Sequence, residues 1–458
     1  MILAAVLLAA GQGTRMKSDL PKVLHPLAGK PMVLHALDSM RALNCAHTVL
    51  VVGYGAEQVR ETITNDQLPI TNLQFVAQPE QRGTGHAVLQ ARDALRGKSD
   101  AVLVAYADMP LIKSETLQRL VDLHAHTRGK LTMLTVRADD SMQFGRIVRD
   151  ANARVVGIVE EADATPAQRA LRELNCGVYC FDAEWLWENL PRVQPSGAKS
   201  EIYLTDLVAR SVAQGHAIEA VILDEVSQVI GINTRVHLAQ AEKIMRARIN
   251  ERAMLAGVTL IDPATTYIDA DVEIGADTLI EPNTHIKGKT RIGAHCVIGA
   301  NSEIRDSEIG DYCVIRASTL QDATLEDQVE VGPYSHLRAG AYLGRGAHLG
   351  NYVEVKNSRL GEAAKAGHFC YLGDADIGAR ANIGAGTITC NFDGERKNKT
   401  IIGADAFIGS DTMLVAPVTI GDRARTGAGS VVTKDVPPDA LAVGVPARVI
   451  RKFAIRNS

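Results

Sequence analysis

The sequence predicts two domains of different class: an N-terminal α/β domain with a Rossmann-like, mostly parallel sheet, and a C-terminal left-handed parallel β-helix of hexapeptide repeats. Three observations carry this. At 458 residues the chain is too long for one core. Residues 1 to about 230 alternate strand-like and helix-like segments. From about Ile268 to Val432 aliphatic residues recur every six positions, as at Ile268, Ile274, Ile280, Ile286, Ile292, Ile298 and Ile304, usually followed by a small residue. A period of six fits neither a helix nor a plain strand, and a β-sandwich predicts no fixed phase. Three hexads closing one triangular coil do fit, with the aliphatic side chain inward and Gly or Asn at the tight corner. About nine coils at roughly 4.8 Å make a prism on the order of 45 Å long.

The totals narrow the function classes. A net charge of −4 gives no strong electrostatic case for nucleic acid or an anionic membrane. Seven scattered cysteines with no C-x-x-C pair suit reduced thiols in a cytoplasmic protein. The opening MILAAVLLAA lacks a basic n-region and runs into Gly11-Gln12-Gly13-Thr14-Arg15, so it is expected to be a buried first strand, not a signal peptide.

Expected strands cover 2–9, 48–53, 73–77, 101–107, 131–137, 155–159, 176–181 and 218–223, and expected helices 31–42, 84–95, 114–126 and 203–214. Parallel sheets bind ligands outside the carboxyl ends of their strands, here the loops after 9, 77 and 107. In the first, Leu8-Ala9-Ala10-Gly11-Gln12-Gly13-Thr14-Arg15 and Pro21-Lys22, glycines let backbone N–H groups approach phosphate, and Arg15 and Lys22 can neutralise it. No Gly-Lys-Ser/Thr follows, so this is no Walker A loop, and Met16 excludes a dinucleotide fingerprint. In the second, Gln78 to Ala87 carries a Gly83-Thr84-Gly85 turn that either holds a base edge or caps a helix. In the third, Tyr106-Ala107-Asp108 puts a carboxylate at a strand end, as a metal ligand or a solvated turn residue. Asn233 opens an amphipathic helix over about 234–256 and reads as an N-cap or a ligand. The domains are placed at 1–230 and 257–458, with 231–256 as linker.

The prism carries chemistry where its pattern breaks. Long cations, Arg338 and Lys356, replace small corner residues one coil apart. Stacked about 5 Å apart they repel by roughly 1 kcal/mol in water, unless they splay into solvent or share a phosphate. His368 can take a proton near neutral pH, though a solenoid histidine is usually a surface residue. CNFDGERKNKT, from Cys390, interrupts the hexads as a protruding loop suited to a site.

The string Leu8 to Leu24, with its GxGTRM and downstream Pro-Lys, resembles the sugar-nucleotidyltransferase family. Together with His368 and the hexads, the chain resembles the bacterial bifunctional N-acetylglucosamine-1-phosphate uridylyltransferase / glucosamine-1-phosphate acetyltransferases over about residues 2 to 445. The resemblance implies UTP and acetyl-CoA as substrates, Mg2+ as cofactor and a homotrimer with acetyl-transfer sites where prisms meet. It implies a nucleotide site of Leu8, Ala9, Ala10, Gly11, Arg15 and Lys22, with Gln78, Gly83 and Thr84 on the uracil and Tyr106 and Ala107 beside them. It puts Gly145, Glu160 and Asn175 on the sugar and Asp108 and Asn233 on magnesium. It makes His368 the base of acetyl transfer, gives the thioester oxyanion a backbone N–H near Ala385, and puts Arg338 and Lys356 on the sugar phosphate. Tyr371, Asn382 and Asn391 would position substrate, Ser410 and Ala428 would touch acetyl-CoA, and Lys397 would reach in from the loop. Two departures stand out: Phe392 where many relatives have Tyr, and Val445 where an Arg is expected, with Arg448 as a substitute. A single-function sugar-1-phosphate nucleotidyltransferase with a structural β-helix is the alternative, and a non-catalytic scaffold is disfavoured by the retained Asp108, Arg15 and Lys22.

Overall fold

A computed structural model describes residues 1–66, 72–142, 144–161, 163–195 and 201–452. Residues 453–458, the end of the expected second domain, lie outside them. The chain divides into two compact units, Met1–Met245 and Arg246–Ser458, and the division falls inside one helix, Arg235–Leu255.

In the first unit the strand Leu3–Ala9 is wholly buried, as its run of small and aliphatic residues requires. It lies between the parallel strands His47–Val52 and Ala101–Tyr106. The sheet continues through Leu73–Ala77 on one side. On the other, the antiparallel Glu173–Asp182 is followed by Leu131–Arg137 and Glu219–Leu223. Strand order therefore turns back at Leu3–Ala9, and the crevice beside its carboxyl end is where open α/β sheets bind ligands. Helices cover both faces, each packing its own apolar cluster. The expected 84–95 helix is two pieces, Thr84–Gln90 and Arg92–Leu95. Val155–Val159 leaves the parallel register to pair antiparallel with Arg146–Arg149.

The second unit is a parallel β-helix. Its strands fall into three sheets, and until the C-terminal hairpin each strand pairs with the strand three further on. Ile268, Ile286, Ile304, Leu320, Leu337, Val355 and Leu372 stack as one buried column. Several edges hold five residues instead of six, as from Ile304 to Ile309 and Leu320 to Leu325. The glycine after the aliphatic residue is generally not the left-handed corner, Gly332 at φ +100 being an exception. That conformation falls two residues later, at Asp277, His295 and Tyr312. The glycine is required by stacking: a Cβ on Gly275 would lie 2.6 Å from the Ala294 nitrogen one coil on. An antiparallel hairpin, Ala440–Gly444 and Ala447–Lys452, follows the last coil.

Candidate functional site

The first unit gathers a cavity of about 310 Å³ at the sheet crevice, lined by Leu8, Ala9, Ala10, Gly11, Lys22, Gln78, Gly83, Thr84, Tyr106 and Asp108. A Cβ on Gly11 would meet nothing within 4 Å, so its bare backbone faces open space. Gly13 has φ +68, and a Cβ there would lie 2.6 Å from the Lys22 Cβ, so only glycine lets Lys22 cross the loop. Gln78 Nε2 donates to the Gly83 carbonyl at 3.2 Å, and Thr84 Oγ1 accepts from the Leu204 N–H at 3.1 Å. These two side chains brace the turn. Gln81, absent from the sequence-derived set, lines the cavity and donates to the Ala10 carbonyl at 2.9 Å. Its signal is its place between Gln78 and Gly83.

Lys22 Nζ pairs with Asp108 Oδ2 and donates to Asn233 Oδ1 at 3.1 Å. The segments carrying these oxygens are tied together, Ile232 N–H donating to the Asp108 carbonyl at 2.8 Å. Thr234 Oγ1, not Asn233, caps the helix by accepting from His237 N–H at 3.2 Å. Asn233 Oδ1 is thereby left to face the site. One carboxylate and one amide oxygen, with an ammonium ion held between them, are a donor set that fits a hard divalent cation sharing its other positions with water and phosphate. Ala107 is buried, its N–H on the Leu8 carbonyl at 3.0 Å.

Gly145, Glu160 and Asn175, expected to meet the sugar, form an adjoining group. The Gly145 carbonyl accepts from Asn175 N–H at 2.8 Å, and a Cβ on Gly145 would reach Ile158 at 2.7 Å and Glu160 Oε2 at 3.3 Å. Asn175 Oδ1 accepts from Gly177 N–H at 3.1 Å and Tyr179 Oη at 2.9 Å. Strand register shifts between Asn175 and Tyr179, and Gly177, at φ +79, gives the Tyr106 ring its place. Burial pushes the Tyr106 hydroxyl well up, helped by Asp108. Partial burial, with Asp206 and Asp163, raises the Glu160 carboxyl above its ordinary value against a hydrogen bond from Thr205. Arg15 is not in this cavity; with Asn233 it lines a neighbouring one.

The second unit has two groups flanking one corner of the prism. On one face a cavity of about 520 Å³ holds His368, Asn382, Ala385, Ser410 and Ala428. His368 is exposed and has no hydrogen-bond partner among the described residues. Nor has the Ala385 N–H, although its carbonyl accepts from Asp411 N–H. An open imidazole and an open amide donor thus share one cavity. The other face carries Arg338, Lys356, Tyr371 and Asn391 in successive coils. The stacking differs from the expected bare repulsion: Arg338 Nη1 pairs with Glu354 at 2.8 Å. Lys356 is crowded instead by Lys397, and only more weakly by Arg338, which holds its ammonium below the ordinary value. Asp374 accepts from Asn391 at 2.5 Å and Asn357 at 2.6 Å, and a Cβ on Gly373 would meet both Tyr371 Oη and Asn391 Nδ2. Phe392 is 60% exposed and bridges to Lys397 across the loop. Val445 is 72% exposed at the hairpin tip.

Residues 5–176 match the MobA-like NTP transferase domain, and residues 271–306 and 399–434 match the bacterial transferase hexapeptide (six repeats). The chain is 48% identical over 439 residues to the bifunctional protein GlmU of Exiguobacterium sibiricum, covering 96% of both chains. It is 47% identical over 443 residues to that of Trichlorobacter lovleyi, covering 96% of this chain and 95% of the relative. The chain belongs to the GlmU family of bifunctional proteins. As a GlmU-family protein it is an N-acetylglucosamine-1-phosphate uridylyltransferase and a glucosamine-1-phosphate acetyltransferase, making UDP-N-acetylglucosamine. Among the described residues no helix is long and apolar enough to cross a membrane.

Proposed function

We propose that the two GlmU reactions are divided between the two sites just described. In the second unit His368 takes a proton from the amine of glucosamine-1-phosphate as the nitrogen attacks the acetyl-CoA carbonyl, and CoA leaves as its thiol. The open Ala385 N–H faces the oxygen that becomes negative. Lys356 and Lys397, with Arg338, hold the sugar phosphate, while Tyr371, Asn382 and Asn391 orient the sugar; Ser410 and Ala428 flank the thioester arm. Phe392 supplies ring surface without a hydroxyl. Val445 supplies no charge, which leaves Arg448 in the hairpin for the CoA phosphates.

In the first unit a phosphate oxygen of N-acetylglucosamine-1-phosphate attacks the α-phosphorus of UTP, and pyrophosphate leaves. Lys22 bears on the phosphates from its place beside Asp108, Arg15 on the departing pyrophosphate, and the Gly145, Glu160 and Asn175 group on the sugar. Mg2+ held by Asp108 and Asn233 would offset phosphate charge. Positioning and charge carry this reaction, since the protein forms no bond to the substrate.

We further propose a cytoplasmic homotrimer. Seven free cysteines suit a reducing compartment. Tyr334 and Tyr352 stand at left-handed corners one coil apart, and with Phe369, next to His368, they are 61%, 60% and 56% exposed. Such a column suits burial against a neighbouring copy.

The observation that carries the division is that His368 and Ala385 N–H share a cavity in one unit while Lys22 and Asp108 share one in the other. His368→Ala should abolish acetyl transfer and leave uridylyl transfer within about twofold, assayed separately with each substrate pair. Equal loss of both in a folded variant would refute it.

A further inference from the structure

A second cavity in the first unit, about 1050 Å³, is distinct from the one that holds Lys22 and the Gly83 turn. It adjoins that site through Arg15 and Asn233, and its remaining wall includes Arg137, Asp139, Arg172 and His237. Arg137 ends the strand Leu131–Arg137, and Arg172 immediately precedes the antiparallel strand Glu173–Asp182, so both stand at the carboxyl edge of the sheet. The Ala138 N–H donates to the Arg172 carbonyl at 3.0 Å.

The charge pattern is unusual for a structural pair. Arg137 makes no hydrogen bond or ion pair among the described residues. Its carboxylate neighbour, Glu173, is already taken by Arg149 at 2.6 and 2.8 Å and by Thr135 at 2.9 Å. Arg172 pairs with Asp139 at 2.7 Å, but both side chains are exposed, 74% and 86%, so a polyanion can displace that carboxylate. The other acid on the wall, Asp140, accepts from Met142 N–H in its own turn. Three guanidinium groups, from Arg15, Arg137 and Arg172, therefore face one space.

We propose that this cavity is a binding site for the released pyrophosphate, with Arg137 and Arg172 receiving it after Arg15. The inference rests on the uridylyl-transfer reading. An in-line displacement at the α-phosphorus sends the leaving group away from the attacking sugar phosphate, and the only step involved is the P–O cleavage of that reaction, with its electron pair leaving on pyrophosphate. While UTP is intact its β and γ phosphates are tethered to the nucleoside. Once cut free, they move past Arg15 into the wider space, where planar guanidinium groups match phosphate oxygens two at a time. Pyrophosphate then depends on Arg137 and Arg172 more than UTP does.

Equilibrium binding of magnesium pyrophosphate and of magnesium UTP to the full chain tests this. In Arg137→Ala/Arg172→Ala the pyrophosphate Kd should rise at least about tenfold and the UTP Kd less than about threefold. Arg137→Lys/Arg172→Lys, which keeps the charge, should recover part of the loss. An unchanged pyrophosphate Kd, or parallel weakening of both ligands, overturns the inference. So does orthophosphate binding as tightly as pyrophosphate, which would mark a generic anion site. A wild-type chain that releases no pyrophosphate from UTP would instead end the uridylyl-transfer reading.

Discussion

Gly13 and Lys22 form a pair in which one residue's lack of a side chain makes room for the other's. Alanine at 13 would carry a left-handed backbone costing roughly 1–2 kcal/mol and a Cβ inside the Lys22 side chain. Gly13→Ala should lower uridylyl transfer at least about tenfold and leave acetyl transfer unchanged, which parallel assays would check. Glu160 offers a pH test. Its carboxyl is raised by partial burial and by Asp206 and Asp163, so on acidification it takes a proton sooner than an ordinary glutamate; in the proposed sugar-binding role it then stops accepting sugar hydroxyls. The KM for N-acetylglucosamine-1-phosphate should rise as pH falls through the range just above ordinary carboxylate values. Glu160→Gln should start from the high KM and show no such rise. The residues themselves were readable: Asp108, Lys22 and Gly83 stand out by type and spacing. The Glu354 partner of Arg338 was not, because a carboxylate on an outward-facing strand position carries no mark of which neighbour it serves.

At the scale of elements, the Arg235–Leu255 helix begins beside the Lys22–Asp108 pair. Thr234 caps it, and the segment just before it presents Asn233 toward Lys22. Thr234→Ala should cost about 1 kcal/mol of stability in the first unit. It should also raise the Mg2+ concentration for half-maximal uridylyl transfer a few-fold, because the frayed end no longer fixes Asn233; a magnesium titration reads this. The sequence places a cap at this point but does not say which of two adjacent polar residues fills it. That depends on where the chain bends, and the bend is fixed by the bond from Ile232 N–H to the Asp108 carbonyl, 124 positions away along the chain. The prism shows the same division. Inward aliphatic residues name their own positions through spacing, while the five-residue edges and the corners two residues past each glycine come from coil closure and stacking.

For the whole molecule, two reactions on one chain need two sites, and each unit carries one set of residues. If acetyl transfer needs a neighbouring copy and uridylyl transfer does not, the activities should part when the assembly is broken. Tyr352→Glu puts a charge in the exposed aromatic column. Sedimentation should move from about three chains to one, with acetyl transfer lost and uridylyl transfer retained. A variant that stays trimeric, or a wild-type chain that sediments alone, would remove the shared-site reading.

The sequence by itself determined the repeat that becomes the β-helix, the alternation that becomes the parallel sheet, and which cations and oxygens are the candidates for phosphate and metal. Each is a local pattern: a period, a glycine beside a strand end, a charge where a small residue is expected. Only the tertiary structure decided that Lys22 lies between Asp108 and Asn233, that Thr234 caps the helix, and that Arg137 and Arg172 share a cavity with Arg15. Those relations rest on contacts between residues far apart in the chain, for the cap the bond from Ile232 to Asp108, and they are set by strand order and chain reversal, which no local spacing encodes.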